Sequence, residues 1–323
     1  MRDIDEQLTK YLTDAHSIEE QALQQLEFAP RLAGRAAISD AFRKHLEETR
    51  EQERMLRERL DARAAKPSRI KDVAGRAGGV AFLLFARFQP DTPGKLVAHA
   101  YSYEHLELAA YELLSRVADG AGDAETAETA REIRDQERTM AERLEALFDE
   151  AVDASLEALD ADDLRLRVVK YLSDAHAIES QAIQLLQKGP KIAGDDDLAA
   201  LYATHLAETR EQQRMVQERL GALGGSPNTL KDAAMRLGAL SWGGFFAAQP
   251  DTPAKLAAFA YAFEHLEIAG YEELQRVAHR ARDDETIAMA EQILEQERAA
   301  AEKIAAHWDA AVAASLDAVG VAR

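Results

Sequence analysis

The chain consists of two tandem copies of one sequence unit. The segment YLTDAHSIEEQALQQL at Tyr11 returns as YLSDAHAIESQAIQLL at Tyr171, an offset of 160 residues. HLEETREQERM returns as HLAETREQQRM, and QPDTPGKL returns as QPDTPAKL, both at the same offset. A repeat without insertions or deletions restricts the chain to two domains of one fold. We therefore predict one domain over residues 1–158 and a second over residues 161–323.

Apolar residues in each copy recur at the spacing of three and four that is typical of an amphipathic helix. Leu8 and Leu12 begin the first such stripe, which predicts a helix from about residue 3 to residue 28, ended by Pro30. The second stripe predicts a helix over about residues 36–64.

The third helix is predicted to begin at the DTP motif, where Thr92 can cap it and Pro93 suits the first helical position. The fourth begins after the break at Gly120–Gly122. A long connection joins the second and third helices, and its apolar segment GRAGGVAFLLFARFQ predicts a short middle helix. Four stripes with one crossover are typical of a four-helix bundle, so the predicted fold class is all-α, with two tandem bundles.

Composition excludes several kinds of chemistry. The chain has 39 Lys and Arg against 58 Asp and Glu, a net charge of −19, which argues against a nucleic-acid-binding surface. It has no cysteine, so any metal must be held by oxygen and imidazole ligands. The longest apolar stretch, Val80–Ala86, is too short for a membrane span, and the charged start MRDIDEQLTK does not suit a secretory signal. We predict a cytoplasmic protein that binds no nucleic acid.

Glutamates interrupt the apolar stripes. Glu19 lies in the first stripe, Glu104 and Glu107 lie in the third, and Glu137 lies in the fourth. Carboxylates that converge in a bundle core repel one another, and their desolvation is costly unless a cation compensates. A pair of divalent metal ions supplies that compensation. Hard oxygen ligands with few imidazoles favour iron or manganese over zinc.

Spacing places these groups on common helix faces. Glu104 and Glu107 are three residues apart in YEHLE, and each therefore projects from the same side of its helix. His45 and Glu48 are likewise three residues apart in HLEE. The second copy repeats both pairs with the residues Glu264, Glu267, His205 and Glu208.

Four motifs follow one another in the first copy: DAHSIEEQAL, HLEETREQ, EHLE followed by tyrosine, and QE. This series resembles the YciE/YciF family of ferritin-like domains, and the resemblance covers the chain once per repeat. It implies two tandem ferritin-like four-helix bundles, each with a crossover and a short extra helix between the second and third long helices. Many ferritin-like proteins hold a di-iron or di-manganese centre that oxidises iron or handles peroxide or oxygen, and the YciE/YciF group is stress-related.

Carried over residue by residue, the resemblance implies a carboxylate-rich dinuclear iron or manganese centre in each bundle. The implied ligands of the first copy are Glu19, Glu48, Glu104, Glu107 and Glu137, with His45 as an added imidazole. Those of the second copy are Glu179, Glu208, Glu264, Glu267 and Glu297, with His205. The chain departs from the common pattern of Glu followed three residues later by His, because Glu51 and Met140 stand at those positions.

Alternatives remain open at this point. The bundle could persist as a non-enzymatic stress or interaction protein with degenerate metal sites. The glutamates could instead form an interior salt-bridge network with Arg50, Arg54 and the histidines, or lie on polar helix faces one turn away from the core. His16, three residues before Glu19, is expected to hydrogen-bond that carboxylate rather than bind metal. Tandem fusion is expected to replace a homodimer, so that the repeats pack on each other, and further homo-oligomerisation is left open.

Overall fold

The computed structural model describes four stretches of the chain, residues 4–65, 92–157, 161–227 and 252–321. All regular secondary structure in these stretches is helical. The chain divides into two compact units, one of Met1–Glu157 with Gly320–Arg323 and the other of Ala158–Val319. The all-α fold class in two tandem halves is therefore confirmed. The predicted middle helix and its apolar segment lie outside the described residues.

Four long helices and a short one form the described part of the first unit. They are α1 (Ile4–Leu32), α2 (Ala36–Ala62), α3 (Thr92–Ala121), α4 (Ala124–Glu145) and α5 (Phe148–Leu156). The second unit contains α6 (Ala161–Leu186), α7 (Gly189–Ile192), α8 (Asp196–Ala222), α9 (Thr252–Ala281), α10 (Asp284–Ala305) and α11 (Trp308–Ala318). In the first unit α1 packs on α2 and α3, α4 packs on α2 and α3, and α5 packs on α3. The four long helices therefore enclose one core.

The core of the first unit is mainly aliphatic. Leu12 of α1, Leu56 of α2, Leu114 of α3 and Ile133 of α4 are buried almost completely. Each comes from an apolar stripe that the sequence places on one face of its helix. Because burial of a side chain of this size stabilises a fold by roughly 1.5–3 kcal/mol, packing between these stripes supports the bundle.

The first helix runs farther than the sequence predicts. α1 continues through Pro30 to Leu32, because a proline this close to a helix end removes only one backbone hydrogen bond. The Ser39 hydroxyl donates to the Pro30 carbonyl oxygen at 3.0 Å and satisfies one terminal carbonyl. Gly34, with φ +69°, then turns the chain, and a Cβ on it would lie 2.9 Å from Pro93 Cγ.

The fourth predicted helix is in fact two helices. α4 ends at Glu145 and the chain turns into α5, a boundary that the apolar spacing does not indicate. Phe148 is fully buried at the start of α5, with its ring centroid 5.3 Å from that of Tyr101. Ser155 accepts a hydrogen bond from the Gly94 N–H at 2.9 Å. The short helix therefore satisfies a free donor in the first turn of α3.

Candidate metal centre

In each bundle, one histidine and three glutamates from different helices lie close together. In the first bundle α2 supplies His45, α3 supplies Glu104 and Glu107, and α4 supplies Glu137. All four side chains are buried, and each offers a ligand atom within 4.8 Å of the others. The second bundle forms the same cluster with His205, Glu264, Glu267 and Glu297.

Regular helices position all four side chains. Glu104 and Glu107 project from one face of α3, because residues three apart on a helix lie on the same side. His45 reaches them from α2, and its Nε2 lies 3.2 Å from Glu104 Oε2 and 3.6 Å from Glu137 Oε2. Sites built on helices hold their geometry better than sites built on loops.

The carboxylates of this cluster are buried without enough partners. Both oxygens of Glu107 and both oxygens of Glu137 have no hydrogen-bond partner within the described part of the chain. One oxygen of Glu19 shares this condition, whereas Glu104 Oε2 forms no hydrogen bond but lies in ion-pair distance of His45 Nε2, at 3.2 Å. Buried polar atoms are nearly always hydrogen-bonded, and an unsatisfied one costs about 1–3 kcal/mol, more when it is charged. Unpaired oxygens that converge on one point could hold a cation, which would compensate their charge.

Burial and mutual repulsion raise the pKa values of these acids. Burial raises the pKa of Glu107 well above its usual range, and the charge of Glu137 raises it further. Burial likewise raises the pKa of Glu137. The pKa of Glu19 rises to about 8, chiefly through burial. A bound cation acts in the opposite direction, because it stabilises the charged form of each carboxylate.

The His45 imidazole carries a compensating charge. Burial alone would lower its pKa, but the charges of Glu104 and Glu137 raise it well above the usual value. Its other ring nitrogen, Nδ1, lies 3.4 Å from Glu48 Oε2. The ring therefore has carboxylates on both sides. A metal-binding histidine commonly has this arrangement, with the second N–H directed at a carboxylate.

Helix α1 brings Glu19 to the edge of the cluster. Glu19 is fully buried, and the Tyr111 hydroxyl donates a hydrogen bond to its Oε1. Glu19 is not among the four residues whose ligand atoms lie within 4.8 Å of one another. In the second bundle the Tyr271 hydroxyl donates to Glu179 in the same way. The hydroxyl occupies one carboxylate oxygen and leaves the other without a hydrogen-bond partner in the described residues.

Glu48 and its counterpart Glu208 lie at the rim of the clusters. The Glu48 side chain is 29% exposed and lies 3.3 Å from Arg143 Nη1. The contact with His45 and the charge of Arg143 lower the pKa of Glu48 to about 2. Glu208 Oε2 lies 3.2 Å from His205 Nδ1. Both rim glutamates therefore contact the outer nitrogen of the histidine, and the structure does not bring them among the clustered ligand atoms.

The second cluster differs from the first in detail. His205 Nε2 lies 2.8 Å from Glu264 Oε2 and 3.6 Å from Glu297 Oε2. Burial alone would raise the pKa of Glu264, but the charge and hydrogen bond of His205 lower it. Burial alone would lower the pKa of His205, but Glu264 raises it to about 9. The Gln212 amide donates to Glu297 Oε1, while both oxygens of Glu267 have no hydrogen-bond partner in the described residues.

The arginines of the salt-bridge alternative point away from the cluster. Arg54 donates hydrogen bonds to Glu51 and Glu58 on the exposed face of α2. Arg50 is exposed as well. The positive charge next to the buried glutamates comes from His45. The arginine part of the alternative network is therefore wrong, whereas its histidine part is present, because His45 pairs with Glu104 and His16 pairs with Glu53.

The first bundle contains a third cluster, which was not expected from the sequence. His16 and Glu20 from α1 and Glu53 from α2 offer ligand atoms within 4.8 Å of one another. His16 Nε2 lies 2.9 Å from Glu53 Oε1, so the predicted hydrogen bond from His16 to Glu19 is wrong. The spacing of four residues between His16 and Glu20 is the sequence signal that could have indicated this cluster.

Each unit is thus a helical bundle whose core holds a histidine–glutamate cluster that could bind a metal ion. A family model described as "Domain of unknown function (DUF892)" matches residues 3–157 and again residues 164–317. The chain therefore belongs to that family and carries its domain twice. No solved structure matches the chain. Among the described residues, every helix is too short or too polar to cross a membrane.

Proposed function

We propose that each bundle holds a carboxylate-rich dinuclear centre of iron or manganese, and that this centre oxidises Fe(II) or turns over peroxide or oxygen in stress protection. The observation that carries the proposal is the convergence of buried, unpartnered carboxylate oxygens in both bundles. The resemblance to the ferritin-like YciE/YciF family supports it from the sequence.

Charge balance favours two metal ions over one in each bundle. Four carboxylates are buried at the proposed centre of the first bundle, those of Glu19, Glu104, Glu107 and Glu137. Two divalent cations neutralise four carboxylates, whereas one cation leaves half of the negative charge uncompensated in a core of low dielectric constant. His45 then binds as a neutral imidazole, because an imidazolium has no lone pair to give to a metal.

The residues divide into ligands and groups that orient them. The proposed ligands of the first bundle are Glu19, His45, Glu104, Glu107 and Glu137. Glu48 orients the ring of His45 through Nδ1, and Tyr111 orients Glu19 through its Oε1. The matching residues of the second bundle are Glu179, His205, Glu264, Glu267 and Glu297, with Glu208 and Tyr271. Bound iron or manganese would supply the electron-transfer chemistry that peroxide and oxygen require.

Metal content tests the proposal directly. After anaerobic loading with Fe(II) or Mn(II) and desalting, we expect about four ions per chain by elemental mass spectrometry. Glu104→Ala with Glu107→Ala removes two ligands from the first bundle and should leave about two ions, held by the second bundle. Glu51→Ala, which removes an exposed carboxylate of α2, is the matched control and should retain the wild-type content. Full metal retention in the double variant would contradict the ligand assignment.

A non-enzymatic helical protein is the second candidate function. Glu51 and Met140 stand where the common Glu-x-x-His pattern has histidines, so each bundle has fewer imidazole ligands than that pattern supplies. The ion pair between His45 and Glu104 also compensates part of the buried negative charge without a metal. Both observations favour a bundle that is stable with degenerate metal sites.

Thermal unfolding with and without chelator separates the two candidates. A metal ion that binds only the folded state raises the free energy of unfolding, by about 2.7 kcal/mol when its concentration is 100 times Kd. The dinuclear centre predicts a lower Tm in EDTA that excess Mn(II) restores. The second candidate predicts the same Tm under both conditions.

A further inference from the structure

The third cluster is a set of potential metal ligands on two neighbouring helices. The ligand atoms of His16, Glu20 and Glu53 lie within 4.8 Å of one another. A divalent transition-metal ion holds nitrogen and oxygen ligands at about 2.0–2.2 Å, so two ligands of one ion lie at most about 4.4 Å apart. Small rotations of the side chains are therefore enough to bring all three onto one ion.

Burial distinguishes this cluster from ordinary surface charges. His16 is 2% exposed and Glu53 is 6% exposed, while Glu20 is partly exposed. One ring nitrogen of His16, Nε2, contacts Glu53. The other, Nδ1, is buried without a hydrogen-bond partner among the described residues. Because buried polar atoms are nearly always hydrogen-bonded, this ring has bonding capacity that the described residues leave unused.

The cluster has the proposed dinuclear centre on one side and solvent on the other. Glu20 directly follows the buried Glu19 on α1, and the charge of Glu53 contributes to the raised pKa of Glu19. On the solvent side, Arg57 donates a hydrogen bond to Glu53, and the Arg57 side chain is about half exposed. An ion bound here would therefore lie close to the centre of the first bundle and remain accessible from outside.

The second bundle keeps the histidine of this cluster but not its acids. His176 matches His16, whereas Ser180 and Gln213 stand at the positions of the two glutamates. The Gln213 amide donates a hydrogen bond to the Ser180 hydroxyl at 2.6 Å. A neutral pair with its own hydrogen bond has no need of a cation, so the second bundle is a natural control for the first.

We propose that His16, Glu20 and Glu53 form an exchangeable site for one divalent transition-metal ion, through which metal enters the centre of the first bundle. One imidazole and two carboxylates suit Fe(II), Mn(II), Co(II) or Zn(II). Three protein ligands leave positions for water, and Arg57 competes for Glu53, so the ion exchanges readily. The proposed binding site does not depend on the proposed function, whereas the inference that metal enters the centre through it rests on that function.

Equilibrium titration of the full chain with Co(II) alone tests the binding site. Glu20→Ser with Glu53→Gln gives the first bundle the residues with which the second bundle already folds. We expect this variant to lose one Co(II) ion per chain relative to wild type, with helix content unchanged by circular dichroism. Equal stoichiometry in the two proteins would overturn the site.

The reverse exchange provides an independent test. Ser180→Glu with Gln213→Glu places two carboxylates beside His176 and should add one Co(II) ion per chain. A folded variant without this gain would show that the three residues do not suffice as ligands and would overturn the assignment.

A chain without the dinuclear centres separates this inference from the proposed function. The background carries alanine in place of Glu104, Glu107, Glu264 and Glu267. In that background Glu20→Ser with Glu53→Gln should still lose one Co(II) ion, and no loss would overturn the site. If wild type itself shows no dinuclear centres but the one-ion difference persists, the proposed function fails and the binding site stands.

The entry role is measured by the rate of loading. With Glu264→Ala and Glu267→Ala removing the second centre, the Co(II) that is still bound after desalting reports the first centre, because the exchangeable ion is lost. Glu20→Ser with Glu53→Gln should slow the appearance of this retained Co(II) without changing its final amount. Equal rates would overturn the entry role.

Discussion

Single residues in these bundles carry charge that the core does not neutralise. Glu107 and Glu267 occupy equivalent positions, and none of their carboxylate oxygens has a hydrogen-bond partner in the described residues. His45 and His205 supply the positive charge that approaches the other clustered acids. One imidazolium cannot offset several carboxylates, so some of these acids must hold protons when no metal is bound.

The raised pKa values predict that the metal-free protein loses stability as the pH rises. Glu19 has a pKa of about 8 when folded against an ordinary value of 4.5, so the folded protein keeps a proton that the unfolded chain releases. Its contribution to the free energy of unfolding is complete below pH 4.5. Between pH 4.5 and about pH 8 that contribution is lost at about 1.4 kcal/mol per pH unit. His205, whose pKa rises from 6.5 to about 9, also stabilises the folded protein less as the pH rises. The Tm in EDTA should therefore fall from about pH 5 to about pH 8.

Two variants check the origin of this dependence. Glu19→Gln has no acid to protonate and should show a shallower fall in Tm, while the exposed Glu51→Gln should keep the wild-type slope. Glu48, whose pKa is lowered to about 2, loses its contribution only as the pH falls below 4.5, outside the range measured. A Tm that rises between pH 5 and pH 8 would contradict the pKa directions.

The sequence identifies buried acids more readily than their roles. A glutamate within an apolar stripe, such as Glu137, is visible from helical spacing alone. The position of Glu48 cannot be predicted from helical spacing, because a residue three places from His45 can approach either side of the imidazole ring. Arg143, from another helix, holds Glu48 at the rim, and that contact depends on tertiary packing.

Among the helices, α3 and its equivalent α9 contribute most to the clusters. Each supplies two of the four clustered glutamate and histidine ligands. The existence of the long helices follows from their apolar stripes, but their ends do not. Pro30 lies inside α1, whereas Pro190 is the second residue of the separate helix α7. The Ser39 hydroxyl donates to the Pro30 carbonyl, and Ala199 stands at the position of Ser39 in the second copy. The C-terminal ends of α1 and α6 therefore differ in a hydrogen bond from outside the helix.

The cap on α3 predicts a measurable effect on stability. Ser155→Ala removes the acceptor of the Gly94 N–H and should destabilise the first bundle by about 0.5–2 kcal/mol, as loss of a helix cap does. Urea unfolding measures the change. Ser315→Ala should have a similar effect in the second bundle, where Ser315 accepts from the Ala254 N–H at 2.7 Å.

An exposed hydroxyl provides the control for this prediction. Thr139 donates to the Asp135 carbonyl within α4 and caps nothing, so Thr139→Ala should change the free energy of unfolding by no more than about 0.5 kcal/mol. If Ser155→Ala has no larger effect than Thr139→Ala, α5 does not contribute to the stability of α3 in the way described.

Over the whole molecule, each cluster is complete within one unit. The clustered ligands of the first bundle lie within Met1–Glu157, and those of the second lie within Ala158–Val319. The exact repeat predicts two copies of one fold, and it also suggests two equivalent sites. It does not predict that Glu20 and Glu53 meet across α1 and α2, because their sequence separation hides the contact.

Separate fragments should therefore bind metal independently. We expect residues 1–157 and residues 158–323, expressed alone, to be helical by circular dichroism and to retain about two Mn(II) ions each after desalting. The full chain is the reference for both fragments. A fragment that folds but retains no metal would show that its centre needs a ligand from the other unit.

An imidazole placed among carboxylates makes metal loading an exchange reaction. In the proposed centre a metal ion would take the lone pairs that protons occupy on Glu107, Glu137 and His45, so each ion that enters would displace protons into solution. Affinity for metal would then rise with pH, and acid would favour release. The bundles would thereby couple their metal content to the acidity of their surroundings.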